Sequence, residues 1–430
     1  FGASTAWATW ILTGFLVSAA VSTPILGRLG DQFGKERMLL VSLALFLAGC
    51  LGAAFAWDIW SLIAFRVLAG AGGALFPLSF AIIRDELPPE KVKVGIGLLS
   101  AVWGIGGGFG IVLSGVIVDH LSWRYLFLLG SIPVALSLVL VHRYVPESPV
   151  RSPSRVDVPG ALLLSGALLT LMVGLTEGEN WGWTSSQLVT LLVAAAGLFV
   201  LWVVVERRSA APMVDMEMLA HRPVLLTNVA TMISGFALFS CFVLVPTFVQ
   251  TDSSHGYGFG ATATQAGLFL LPSSVAMLFA GPLAGVLGRR FGSKWPLAGG
   301  LVVVSLAALI FAAAHDEEWH VLVASALLGL GVGAAFAAMA GLIADNVDPL
   351  EMGVASGMNT VVRVIGGVVG GQVGAALLTA QTIGSTGVPA ESAYTTTFLL
   401  SCGAALAAAA VSLSISVRPL RRLEPVAVRR

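Results

Sequence analysis

The sequence predicts an all-α polytopic membrane protein made of two pseudo-symmetric six-helix bundles with a helix pair inserted between them. Three observations carry that prediction. Thirteen apolar runs, each long enough to cross a bilayer, follow one another along the chain. Cations collect in alternate gaps between those runs. A glycine-rich interruption at 27–39, GRLGDQFGKERML, returns at 285–297 as GVLGRRFGSKWPL.

Charged residues make up only 11% of the 430 residues and hydrophobic ones 57%. A soluble domain carries about a quarter charged residues, so an aqueous globule is excluded. Apolar runs of roughly 18 or more residues read as membrane helices. They fall at 7–26, 38–56, 59–83, 94–118, 124–142, 158–176, 187–205, 223–250, 264–288, 295–314, 319–343, 353–380 and 394–416.

The net charge of zero hides an asymmetry. All 23 cations except Arg66, Arg124 and Arg363 lie in one alternate set of gaps or in the C-terminal tail. That set includes Lys35, Arg37, Arg84, Lys93, Arg151, Arg155, Arg289 and Arg290, and the tail adds Arg418 to Arg430. The opposite gaps hold acids such as Asp58, Asp119, Asp252, Asp316 and Glu391. Cations are retained on the cytoplasmic side during insertion, so the first set and the C-terminus are expected in the cytoplasm and Phe1 outside. Cys50, Cys241 and Cys402 fall within apolar runs without metal or redox spacing and are expected to pack as small apolar residues.

An offset of 258 carries Gly27, Gly30 and Gly34 onto Gly285, Gly288 and Gly292. An offset of 260 carries Asp85 onto Asp345, and Gly106 and Gly110 onto Gly366 and Gly370. Such parallel repeats mark one class of secondary transporter. The run at 223–250 has its repeat partner before Phe1, so the expectation is a truncated chain with 13 of 14 transmembrane helices. The resulting domains are 1–145, an N-terminal bundle lacking its first helix; 146–222, the inserted pair with its linkers; 223–417, the C-terminal bundle; and 418–430, a cytoplasmic tail. The inserted pair is expected to be peripheral.

GRLGDQFGKERML resembles the cytoplasmic loop motif of the major facilitator superfamily, G-x-L-x-D-[RK]-x-G-[RK]-[RK]. The six, two and six arrangement resembles that family's fourteen-helix drug:proton antiporter branch, as does WRYLF at 123–127. LIAFRVLAGAGGA at 62–74 is similar to the fourth-helix motif, whose Arg is implicated in proton transfer, and GGGFGIVLSG at 106–115 to the fifth-helix antiporter motif. The resemblance implies alternating access without enzymatic chemistry.

From the residues, the loop motif reads as a conformational latch of Gly27, Asp31, Gly34, Lys35 and Arg37. Glycines permit close helix approach. Asp31, expected at a water-facing helix end, is placed to pair with a cation or a helix N-terminus across the halves. Arg289 stands at the repeat position, so the latch is expected to be asymmetric. Arg66 and Arg363 lie inside apolar runs and each needs a wet or paired site; the resemblance implies that they belong to the proton-coupling pathway. Trp103, Asn228, Thr231, Phe236, Phe239, Gln265, Asn359 and Gln372 are assigned to a substrate cavity, and Gly106, Gly110, Gly366 and Gly370 to helix packing. No acid falls at a membrane midplane, so an Asp or Glu in the missing helix, near Arg66, is expected to carry the proton.

HDEEWH at 315–320 reads as a solvated outer loop. No Gly-Lys nucleotide loop, catalytic triad or nucleic-acid patch is present. The expectation is therefore a monomeric prokaryotic plasma-membrane exporter of small apolar organic compounds in exchange for protons, without metal, cofactor or nucleic-acid partner. Export of one endogenous metabolite or lipid is the alternative, and a non-transporting scaffold or sensor the third possibility.

Overall fold

The computed structural model describes residues 5–148, 157–384 and 387–416; Arg151, Arg155 and the 418–430 tail lie outside them. α1 (Thr5–Phe33) and α2 (Lys35–Ala54) are separated by Gly34 alone, whose φ is 119°. α11 (Ala263–Phe291) and α12 (Lys294–Ala313) turn in the same way at Gly292, φ 91°. A side chain is strained at such φ values, which accounts for one of the repeated glycines. At Gly34 a Cβ would also strike the Glu147 carboxylate.

The next span is broken. α3 (Ile59–Ala69) passes through a 3₁₀ turn at Gly70–Ala74 into α4 (Leu75–Glu86). Glycine is a poor helix former, and Gly70 and Gly73 lie against Ser18, Ala19 and Thr23 of α1 with no room for a Cβ. α5 (Pro89–His120) and α6 (Arg124–Tyr144) complete the first bundle. α7 (Val158–Trp181) and α8 (Ser186–Arg208) form a hairpin, and the short α9 (Met216–Ala220) leads into α10 (Arg222–Gln250). α13 (Glu318–Asn346), α14 (Met352–Ala380) and α15 (Glu391–Leu413) close the second bundle. Among the described residues, thirteen segments are long and apolar enough to cross a membrane. Among the described residues the only β pairing is an isolated bridge, Thr382 to Pro389.

The helices share two ends, one basic and one acidic. Bonds between elements join residues of the same end: Lys93 with Asp345 and Arg84 with Val347 at the basic end, Asp119 with Thr264 and His315 with Glu391 at the acidic end. Leu238, Leu301 and Leu328 belong to the core of the second bundle. Leu39, Leu43 and Leu78 belong to that of the first. A third core joins both bundles toward the basic end, uniting Phe80 and Ile96 with Ile343, Val354 and Met358.

Leu164, Leu168 and Trp202 of the inserted pair are buried in that shared core. Of the pair, α7 packs on both α1 and α14, and α8 lies against α7 and α9. A repeat comparison finds which helices lack a partner, but does not reveal which seam they cover.

Two seams join the bundles. Along α5 and α11, Gly97 and Gly281 place backbone on backbone, and Gly115 lies against Thr264 near the acidic end. Along α1 and α14, Gly27 lies on Gly353 and Pro24 on Gly357. The predicted packing glycines divide. A Cβ on Gly366 or Gly370 would overlap the carbonyl oxygen of Met232 or Phe236 on α10, whereas Gly106 and Gly110 have no atom within 4 Å of that position. The packing assignment therefore fails for Gly106 and Gly110 within the described residues: α10 covers the second glycine ladder, and no described helix covers the first.

Candidate functional site

The basic end is fastened by two clasps. In the first, the Asp31 carboxylate accepts the backbone N–H groups of Gly353 and Val354, at 3.2 and 3.1 Å. These amides belong to the first turn of α14, where helix amides lack internal partners and the helix dipole favours an anion. Lys35 lies 3.7 Å from Asp31 and 2.5 Å from Asp85, and is fully buried. Its ammonium also donates to the Pro349 carbonyl. Asp31 is itself only 1% exposed, which corrects the water-facing placement. The close Gly27–Gly353 approach draws the two helix ends together and shuts water out. Arg37 differs: it is exposed and reaches only Glu147, at 3.6 Å, a kind of pair worth about 0–1 kcal/mol.

The second clasp reverses the charges. Lys93 of α5 pairs with Asp345 of α13 at 2.8 Å and donates to the Gly288 carbonyl of α11 at 3.3 Å. Sequence reasoning missed this pair, although the signal was there: Asp345 is the repeat of Asp85, and each takes a lysine. Arg84 adds a third link across the halves, donating to the Val347 carbonyl at 2.6 Å.

Inward of these clasps lies a chamber lined by Phe76, Phe80, Ser100, Trp103, Phe336, Ser356, Asn359, Thr360 and Arg363. It spans about 440 Å³ of non-atom space, open solvent included, and is so narrow that it admits water rather than a drug-sized molecule. A second, almost wholly apolar chamber of about 660 Å³ is lined by Trp103, Ile111, Leu238, Phe239, Phe242 and Phe336. Trp103 and Phe336 line both chambers, meeting edge to face at 5.1 Å. Another groove, lined by Leu283, Phe291 and Trp295, opens on the exposed apolar surface of the second bundle rather than between the halves.

Of the predicted cavity residues, Trp103, Phe239 and Asn359 line these chambers. Asn359 donates to Asn228 and Thr231, both at 2.9 Å, so those two position it from behind. Phe236 supplies backbone beneath Gly370. Gln265 is corrected: it forms a capping box with Thr262 at the start of α11 and lines a pocket at the acidic end. Gln372 lines neither chamber, and its side-chain oxygen is buried without a hydrogen bond.

The two intramembrane arginines are not brought together. Arg66 donates to the Ile11 carbonyl at 3.2 Å and faces the Phe15 and Phe127 rings at 4.4 and 5.6 Å, so its charge is housed within its own bundle. Arg363 lies 4.4 Å from the Phe336 ring and, among the described residues, has no hydrogen bond or ion pair. Central placement of Arg costs roughly 2.5–3.5 kcal/mol on insertion scales, and a ring contact returns about 0.5–2 kcal/mol. The rest must come from polar matter entering the chamber. In the HDEEWH loop, His315 bonds Glu391 and the Phe311 carbonyl, and His320 accepts from the Glu317 amide.

Two repeated helical halves, clasped at one end around a chamber between them, define a polytopic carrier. The description of the Major Facilitator Superfamily matches residues 1–371 and, again, 229–429. The chain belongs to that family of membrane transporters. It is 32% identical over 365 residues to multidrug resistance protein Stp of Mycobacterium tuberculosis, covering 84% of this chain and 67% of the relative. It is 29% identical over 378 residues to the tetracenomycin C resistance and export protein of Streptomyces glaucescens, covering 86% and 68%. To multidrug resistance protein 3 of Bacillus subtilis it is 28% identical over 362 residues, covering 83% and 69%. Among solved structures, the proton:xylose symporter XylE superposes with a TM-score of 0.62 at 15% identity, over 96% of this chain and 88% of the other. That likeness is one of fold.

Proposed function

We propose that this protein exports small, largely apolar organic compounds in exchange for protons, by alternating access between its two halves. The observation that carries the reading is the aromatic-lined space between the halves, closed at the basic end by two clasps, the Asp31 one buried and the Lys93–Asp345 one half-buried. Relatives named for multidrug resistance support the efflux direction. The one-sided cations support a cytoplasmic basic end, and the bacterial relatives support the plasma membrane of a prokaryotic cell; we take the protein to act as a monomer. The relative named for export of a single compound favours, as second reading, a dedicated exporter.

The test is efflux of a fluorescent aromatic dye from liposomes containing the purified protein, under an imposed pH gradient of either sign. Export in exchange for protons requires dye movement that reverses with the gradient and stops when an ionophore collapses it. Movement indifferent to the gradient would remove proton coupling, and no movement of any dye would remove export.

A further inference from the structure

We propose that the inner chamber is an anion site, and that the compounds it takes are elongated aromatic organic acids whose carboxylate or phenolate oxygen meets Arg363. This rests on reading the chamber as the export site.

Three observations converge. The Arg363 guanidinium lines the chamber and, among the described residues, has no acceptor; its one close companion is the Phe336 ring. A guanidinium stays charged in proteins and offers only donors. Second, Ser356 also lines the chamber, and its hydroxyl is buried without a hydrogen bond among the described residues, in a residue only 5% exposed. Ser356, Asn359, Thr360 and Arg363 follow helical spacing, so they share one face of α14. Third, among the described residues no carboxylate lines either chamber. A cationic compound would therefore meet a like charge and find no counter-ion, whereas an anion completes the site.

The geometry sets the rest of the ligand. Ser356 and Arg363 are seven residues apart, about 10 Å along the helix. Trp103 and Phe336 lie edge to face at 5.1 Å beside this polar strip, with Phe76 at 6.5 Å from Trp103. A two-ring acid spans that distance, with its acidic group at Arg363, its rings on the aromatic pair and a second acceptor near Ser356. In the alternating access proposed above, it is opening of the clasps that admits such a ligand.

The experiment is calorimetric titration of the 430-residue protein in lipid nanodiscs with four probes: biphenyl-4-carboxylate, biphenyl-4-carboxamide, biphenyl-4-ylmethylammonium and acetate. The carboxylate should bind at least about tenfold more tightly than the amide or the ammonium, and acetate, which lacks the rings, about a hundredfold more weakly than the biphenyl acid. Arg363→Gln should erase the preference for the acid and leave the amide within about twofold, while Arg363→Lys should keep the preference in sign. Should Arg363→Gln fail to fold, Ser356→Ala should weaken a fifth probe, 4′-methoxybiphenyl-4-carboxylate, whose ether oxygen supplies the second acceptor, about threefold and leave biphenyl-4-carboxylate within about twofold, equal effects on the two acids overturning the proposal. An ammonium probe bound as tightly as the acid, acetate bound as tightly as the biphenyl acid, or a preference surviving Arg363→Gln overturns the proposal. Liposome efflux separates it from the export reading. Efflux without preference for anions removes the anion site and leaves export, whereas anion binding without efflux supports the site and removes export.

Discussion

Asp31 holds the two halves together through backbone amides, so its replacement is best read at those amides. In Asp31→Asn the side chain keeps one acceptor oxygen but loses the charge that the α14 N-terminus and Lys35 both favour. Hydrogen bonds to charged groups contribute about 1.5–3 kcal/mol, so amide exchange at Gly353 and Val354 should accelerate by about tenfold or more, with a lower unfolding temperature. Unchanged exchange would mean that the clasp holds without the charge. Lys93→Gln and Asp345→Asn should each weaken the second clasp, and the double variant should cost less than their sum because the two groups share one interaction. A stability measurement in which the two effects add would remove the pair. The sequence exposed Asp31 as a polar group in an apolar setting, but its burial depends on Gly27 meeting Gly353, 326 residues away in the chain. The Lys93–Asp345 pair was hidden for the opposite reason: both residues sit in gaps full of charges, where partner choice follows from tertiary approach alone.

At the level of helices, the repeat made most elements legible. The thirteen spans among the described residues, the tight turns at Gly34 and Gly292 and the repeat equivalence of Asp85 and Asp345 all follow from apolar length and glycine placement. Periodicity does not say which helix covers which glycine ladder, and there the repeat misled. Gly366 has the Met232 carbonyl where a side chain would begin, whereas Gly106 has open space. Gly366→Val should therefore destabilise this chain by about 1–3 kcal/mol through overpacking, read as a fall in unfolding temperature in detergent. Gly106→Val should change it by less than about 0.5 kcal/mol. Equal losses would mean that the two ladders are equally covered. The break between α3 and α4 was likewise invisible as a break, because GAGGA is still apolar enough to extend a membrane span.

For the whole molecule, the two seams differ in extent. Close contacts between α5 and α11 run from Gly97 to Gly115, about 27 Å along the helix. Those between α1 and α14 cluster from Pro24 to Asp31, about 10 Å. Cysteines at Asp119 and Thr264, whose side chains already touch at 2.5 Å, should cross-link with at least half of the efflux retained. Cysteines at Pro24 and Gly357 should abolish efflux once oxidised and restore it on reduction. The reverse pattern would exchange the roles of the seams. Two bodies joined along a line keep one easy rotation, about that line, as a door keeps one about its post. In the alternating access proposed above, the α5–α11 seam is expected to serve as such an axis, with the α1–α14 edge as the free side of the door. A small roll between glycine backbones on the axis becomes a wide sweep at that edge, so the residues that move farthest need not be those that determine how easily the molecule turns.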